Sequence, residues 1–157
     1  TLAQQMQSVF GIVLIEGVLF YLVHKAFHEI KGLYWMHRYH HRFNTIVLPS
    51  SSNAVSIAEY MFAYMIPIVV GVIVMGADEV STFLGAAIIA VTNLLIHTPQ
   101  LEDYVWFWAF VSTHDHLEHH RKLRGNYGAP VFHVDRIVRR LSTGSLHEPP
   151  PRNGKLD

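Results

Sequence analysis

The sequence predicts an all-α integral membrane helical bundle with a cytoplasmic, histidine-rich cap. Three observations predict it: long apolar stretches, basic residues confined to the segments outside them, and histidines grouped near their ends. A helix needs about 20 mostly apolar residues to cross a bilayer roughly 30 Å thick. We therefore expect membrane spans at residues 9–23, 60–77 and 80–101. A soluble protein with buried core helices is the alternative, which two neighbouring charge-free stretches disfavour.

Each stretch has its own helix signals. The first contains one acid, Glu16, which should face protein because a carboxylate in lipid is costly. Ser56 and Glu59 form a capping-box pattern that should begin the second helix, and Pro67 should kink that helix without ending it. The third stretch contains no charged residue apart from any proton on His97. The aromatic segment 101–112 suits an interfacial position.

The charge distribution predicts an orientation. All 12 Lys and Arg residues lie in segments 24–43 and 121–155, whereas the link 76–80 between the second and third stretches carries two acids. A hairpin of these stretches places every base on one side, which the positive-inside tendency assigns to the cytoplasm. Thr1 then lies on the far side, which leaves room for a further span before it. The membrane is either endoplasmic reticulum or a bacterial inner membrane.

Composition excludes several functions. Basic and acidic residues are equal in number, 12 each, so nucleic acid is not an expected partner. The chain contains no Cys, which excludes disulfides, thiolate metal sites and a Cys nucleophile. We predict a single membrane-embedded domain over 1–141 and a Pro-rich, disordered tail over 142–157.

Histidines recur at metal-ligand spacing. HRYHH (37–41) and HLEHH (116–120) place histidines at i, i+3 and i+4, which share one helix face, and HKAFH (24–28) adds an i, i+4 pair. Neutral imidazole binds iron, zinc, copper and nickel. Two ions with four or five ligands each would use nine histidines, so the pattern predicts a dinuclear site. The expected ligands are His24, His28, His37, His40, His41, His97, His116, His119 and His120. A solvated, titrating histidine face is the alternative interpretation.

Other polar residues near these segments are candidates to support the ligands from outside. They are Asn93, His114, Asp115, Glu118, His133 and Asp135. The acids among them could orient ligand imidazoles, and His133 could be a tenth ligand. No separate catalytic acid or base is assigned.

The ordered set HKAFH, HRYHH, a hairpin of two spans, HLEHH, RGNYG (124–128) and VDRI (134–137) resembles the fatty acid hydroxylase/sterol desaturase superfamily over roughly 15–141. The resemblance implies a membrane bundle with a cytoplasmic cap and a histidine-bound di-iron centre formed by the nine histidines. Many members have a second histidine near the position of His97. Here Asn93 lies one turn before it, so Asn93 is expected to coordinate weakly or to hydrogen-bond a ligand. Val134 replaces a Trp that members often have.

The implied activity is the oxygen-dependent hydroxylation or desaturation of a membrane lipid, either sterol, fatty acyl or related. Two Fe ions are the implied cofactors, although Zn would also satisfy the imidazoles. Electrons would come from a separate donor such as a b-type cytochrome, a ferredoxin or a reductase. Two alternatives stay open at this point, a non-catalytic zinc-binding relative and a metal-handling membrane protein. A transporter would need polar groups inside the second and third spans, which offer almost none.

Overall fold

The computed structural model describes residues 1–44, 46–104 and 106–143, and within these ranges all regular secondary structure is helical. The α-helices are α1 (Leu2–Glu29), α2 (Tyr34–His37), α3 (Ile57–Glu59), α4 (Ile66–Met75), α5 (Glu79–Ile96), α6 (Thr113–Lys122) and α7 (Val134–Thr143). Three helices are long and apolar enough to cross a membrane, Leu2–Glu29, Ile57–Met75 and Glu79–Ile96. The predicted all-α membrane bundle is therefore confirmed. The predicted tail lies outside the described residues from position 144 onward, while Ser142 and Thr143 end α7.

The first membrane helix, α1, is longer than its apolar stretch. Thr1 caps it through a capping box with Gln4, and the helix continues to Glu29. Its buried face repeats every three or four residues, at Ile12, Glu16, Phe20, His24 and Phe27. Glu16 is fully enclosed by protein (0% exposed), which keeps its carboxyl away from lipid.

The second membrane helix runs from Ile57 to Met75 through a π-helical stretch, Tyr60–Met65, that joins α3 to α4. Ser56 Oγ accepts a hydrogen bond from Glu59 N, as the capping pattern predicts. Pro67 follows the π-helical stretch, at the first turn of α4. Proline has no N–H to donate, so the pattern of backbone hydrogen bonds changes beside Pro67 while the helix continues.

The third membrane helix, α5, begins at Glu79 and ends at Ile96, five residues earlier than its apolar stretch. Asp78 caps it by accepting a hydrogen bond from Ser81 N. The early end has a local reason, since Pro99 disfavours helical dihedrals at the residue before it. Thr98 is accordingly extended.

Small residues let the three membrane helices approach closely around Ile12 of α1. A Cβ added at Gly71 would lie 3.1 Å from Ile12 Cα, and one added at Gly85 would lie 3.1 Å from Ile12 Cγ2. At the far end, Gln5 Nε2 donates to Asp78 Oδ2 over 3.2 Å. Such small-residue contacts are a common way for membrane helices to pack.

Short elements cover the opposite end of the bundle. They are α2, the 3₁₀ turns His40–Phe43, Pro49–Asn53 and Pro99–Leu101, and the helices α6 and α7. HRYHH does not form one α-helix, because α2 ends at His37 and a 3₁₀ turn begins at His40. Arg38 and Tyr39 nevertheless keep right-handed helical dihedrals, so the chain continues to coil and the three histidines converge.

Candidate metal centre

All nine histidines that the sequence predicts as ligands meet at this end of the bundle, in two groups. The first group contains five, His24, His28, His37, His41 and His119. The second contains four, His40, His97, His116 and His120. Within each group, one ring nitrogen of every member lies within 4.8 Å of the others, and every member except the half-buried His28 is buried. The ring centroids of His41 and His120 are 4.8 Å apart, so the two groups adjoin.

Each HxxHH box contributes to both groups. The first box gives His37 and His41 to the five-histidine group and His40 to the four-histidine group. The second box does the reverse, giving His116 and His120 to the four-histidine group and His119 to the five-histidine group. The i, i+4 pair of each box thus stays together, and the i+3 residue crosses to the neighbouring group.

Backbone carbonyls outside the centre orient several of the imidazoles. Nδ1 of His24 donates to the carbonyl of Tyr127 over 2.8 Å, and Nδ1 of His119 donates to that of Gly125 over 2.8 Å. Nδ1 of His97 donates to the carbonyl of Asn93, one turn earlier, over 2.7 Å. Because a carbonyl can only accept, each of these Nδ1 atoms carries the proton, and each Nε2 lone pair is free to bind a metal.

Two polar side chains contact the imidazoles from outside the two groups. Glu59 Oε1 accepts from His37 Nδ1 over 2.6 Å, and both side chains are buried. Asn44 Oδ1 lies 3.2 Å from Nδ1 of His41 and 3.2 Å from Nδ1 of His120. Asn44 therefore contacts one histidine of each group through a single oxygen atom.

The arrangement of lone pairs fits a bound cation. Nε2 of His24 and Nε2 of His37 face each other at 2.9 Å, although the outward hydrogen bonds of both rings leave these atoms without a proton. Two such lone pairs repel each other unless positive charge lies beside them. Nε2 of His119 is likewise buried without a hydrogen-bond partner. A metal ion would satisfy all three atoms, and an all-imidazole set suits iron, zinc, copper or nickel.

Burial also keeps the imidazoles uncharged. Desolvation lowers the pKa of His41 and of His97 to about 4, from an ordinary value of 6.5. Desolvation and then the positive charge of neighbouring imidazoles lower the pKa of His37, His40, His116, His119 and His120. At neutral pH these rings are neutral and can act as ligands.

A model of the family described as fatty acid hydroxylase matches residues 9–140, a range that contains all nine histidines. The chain belongs to the fatty acid hydroxylase family. This confirms the family that the sequence motifs indicate.

By its description, the fatty acid hydroxylase family is a family of oxidoreductases. Among curated proteins, the chain is similar to the fatty acid hydroxylase ahd1 of Mycosarcoma maydis, with 29% identity over 132 residues. The aligned region covers 83% of this chain and 32% of that relative, so the chain spans about a third of the relative's length. No solved structure matches the chain.

In this fatty acid hydroxylase family member, the residues expected to support the ligands differ in which parts of the chain they contact. Asn93 holds His97 through its backbone carbonyl, while its amide nitrogen lies 3.5 Å from the carbonyl of Ser52. Asp115 accepts from Ser112 Oγ and Arg136 Nη2, and it lies 3.7 Å from Nε2 of His133.

The remaining candidates bind other parts of the chain. Glu118 pairs with Lys122, and Asp135 accepts from Gly128 N over 2.6 Å. His114 and His133 lie outside the two histidine groups of this hydroxylase family member. Nδ1 of His133 instead lies 3.4 Å from Arg136 N, at the first turn of α7.

Sequence reasoning missed two side chains that contact the histidines. It identified Glu59 only as a capping residue. The backbone N–H of Glu59 does donate to Ser56 Oγ, and the side chain of Glu59 contacts Nδ1 of His37. Asn44 follows His41 by three residues, a spacing that would have placed it near the box face. For the carbonyls of Tyr127 and Gly125, no sequence signal exists, because their position depends on the path of the chain after α6.

Proposed function

We propose that this chain holds two iron ions in its two histidine groups and uses them to hydroxylate or desaturate a membrane lipid with dioxygen. The observation that carries this proposal is the pair of adjoining, all-imidazole groups at one end of three membrane-crossing helices. Membership of the fatty acid hydroxylase family supports the reaction class. A separate donor protein would supply the electrons.

The irons would supply the reduction of dioxygen, which consumes two electrons and two protons. In hydroxylation, one oxygen atom enters a C–H bond and the other is released as water. The chain's own residues hold and orient the ligands. His24, His28, His37, His41 and His119 would bind one ion, and His40, His97, His116 and His120 would bind the other. Glu59 and the backbone carbonyls fix the ring orientations, and burial of the histidines excludes water.

The position of the two groups supports a lipid substrate. His24, His28 and His97 lie in or directly beside helices long and apolar enough to cross a membrane, so the groups lie near the membrane surface. The basic residues at this end of the bundle support a cytoplasmic location by the positive-inside tendency.

Metal analysis of detergent-purified, untagged protein tests this proposal. We expect about two irons per chain, and lipid oxidation when oxygen and a reductant are supplied. His116→Ala/His120→Ala removes two of four ligands from one group and should lower the iron content by about one or more. His147→Ala, in the tail, is the matched control and should leave the iron content unchanged.

Other outcomes identify the alternatives. Two zinc ions with no lipid oxidation, even after replacement with iron, would indicate a zinc-binding relative rather than an oxidase. One metal or none in the unmodified protein would contradict a dinuclear centre.

A further inference from the structure

A groove of about 440 Å³ lies on the outer side of the segment that carries the first HxxHH box. It is lined by Trp35, Arg38, Tyr39, Arg42, Val55, Ser56 and Ile57. The same segment presents His37, His40 and His41 to the metal centre, so ligands and groove share one short stretch of chain. No part of the proposed oxidation uses the groove residues.

The groove carries two guanidinium groups without acidic partners. Arg38 and Arg42 are four residues apart, and no carboxylate within the described ranges forms an ion pair with either. Arg42 lies over the ring of Tyr39, with its Cζ 5.5 Å from the ring centroid. By contrast, Arg121 and Arg136 at the same end of the bundle both pair with acids. Two free arginines in a concave site favour an anionic ligand.

The other side of the groove is apolar and continues onto a membrane helix. Ile57, the first residue of the second membrane helix, is 85% exposed, and Trp35 is 54% exposed. Tyr60, Met61 and Phe62 extend this exposed apolar surface along the next turn of that helix. Trp and Tyr are typical of the headgroup level of a bilayer. The groove thus lies where a lipid headgroup would sit if its chains followed this helix.

We propose that the groove binds the phosphate of an anionic glycerophospholipid whose acyl chains lie along the exposed face of Ile57–Phe62. The arginine pair offers planar donors that match phosphate oxygens, and the aromatic rings suit the level of the glycerol backbone. An acidic protein partner fits less well. A volume of about 440 Å³ suits a headgroup, and the apolar border continues onto a helix long and apolar enough to cross a membrane.

Lipid retention in native mass spectrometry tests this site on the full chain. The protein is released from mixed micelles that contain equal amounts of dioleoyl phosphatidate and dioleoyl phosphatidylcholine. We expect preferential retention of one phosphatidate. Arg38→Gln/Arg42→Gln should weaken phosphatidate binding roughly tenfold or more, because each arginine near an anionic lipid contributes appreciably. Arg124→Gln, which removes an exposed charge outside the groove, is the matched control and should keep the preference.

Two further measurements make the result decisive. Glycerol 3-phosphate at millimolar concentration should fail to displace the lipid, since the acyl chains contribute to binding, whereas displacement would point to a free-phosphate site. Metal content of each variant reports whether the neighbouring histidine groups remain intact. Arg38→Lys/Arg42→Lys, which keeps the charge, should retain part of the preference and serves if the glutamine variant fails to fold.

Besides displacement by glycerol 3-phosphate, three results would overturn the proposed lipid site. These are equal retention of the two lipids, an unchanged preference in the glutamine or lysine variants, and an equal loss in Arg124→Gln. The last result would mean that the whole basic end attracts phosphatidate without a defined groove. Binding is measured without turnover, so failure of the oxidase proposal would leave this test unaffected.

Discussion

Glu59 contacts His37 of the five-histidine group from the first turn of a membrane helix. A carboxylate that accepts from a ligand imidazole fixes the ring and makes it more basic. Sequence reasoning predicted the histidines because their spacing is visible. It could not predict this contact, because it forms between residues 22 positions apart.

Replacing Glu59 should weaken metal binding in one group more than in the other. We expect Glu59→Gln to lower the metal affinity of the five-histidine group by roughly 10- to 100-fold, since His37 loses the carboxyl partner of its Nδ1. Competition with a chelator, followed by metal analysis, measures the effect. Glu118→Gln, which alters an acid paired with Lys122, is the control. Equal chelator resistance in both variants would contradict a supporting role for Glu59.

The lowered pKa values of the histidines make the stability of metal-free protein depend on pH. His41 and His97 have a pKa of about 4 in the folded chain and about 6.5 when unfolded. Between these values the unfolded chain binds more protons, so stability is complete above pH 6.5 and falls as the pH decreases towards 4. Each residue accounts for about 3 kcal/mol at most.

Thermal unfolding of metal-free protein in detergent at pH 7, 6 and 5 measures this dependence. We expect the Tm to fall at each step. His97→Gln should show a smaller fall, because one titrating group is absent. A Tm that is constant from pH 7 to pH 5 would show that the histidines are not buried in the neutral form.

At the scale of the elements, the apolar stretches predicted three membrane helices but not their ends. The first helix exceeds its stretch at both ends because a capping box and the histidine segment extend it. The third ends early because of Pro99. The π-helical stretch Tyr60–Met65 has no sequence pattern that distinguishes it from the α-helix that follows. Only the neighbouring Pro67 indicated irregular hydrogen bonding there.

Contact between the first and second membrane helices depends on Gly71. A Cβ at this position would lie 3.1 Å from Ile12 Cα and 3.2 Å from Ile12 O, both backbone atoms. We expect Gly71→Val to separate the helices and to destabilise the protein by about 1–3 kcal/mol. Thermal unfolding in detergent measures this change.

Gly32 offers a matched control for this substitution, because a Cβ there would meet nothing within 4 Å. Gly32→Val should therefore change the Tm little. Equal effects of the two substitutions would contradict close packing at Gly71.

At the scale of the whole molecule, the histidine-bearing end and the link between the second and third membrane helices should lie on opposite sides of the membrane. The chain contains no Cys, so single cysteines can report this directly. We expect Lys31→Cys to react with a membrane-impermeant maleimide from the cytoplasmic side, and Glu79→Cys to react from the other side. Labelling of both from one side would contradict a three-helix crossing.

The positions of the histidines along the chain determine when the members of each histidine group are made during synthesis. Four members of the five-histidine group, His24, His28, His37 and His41, precede the second membrane helix in the chain. Two of the four members of the other group, His116 and His120, come from α6, after all three membrane helices. A nascent chain can therefore gather most ligands of the first group early. The second group has to wait until α6 has been made, and we expect ions to enter the two groups in that order.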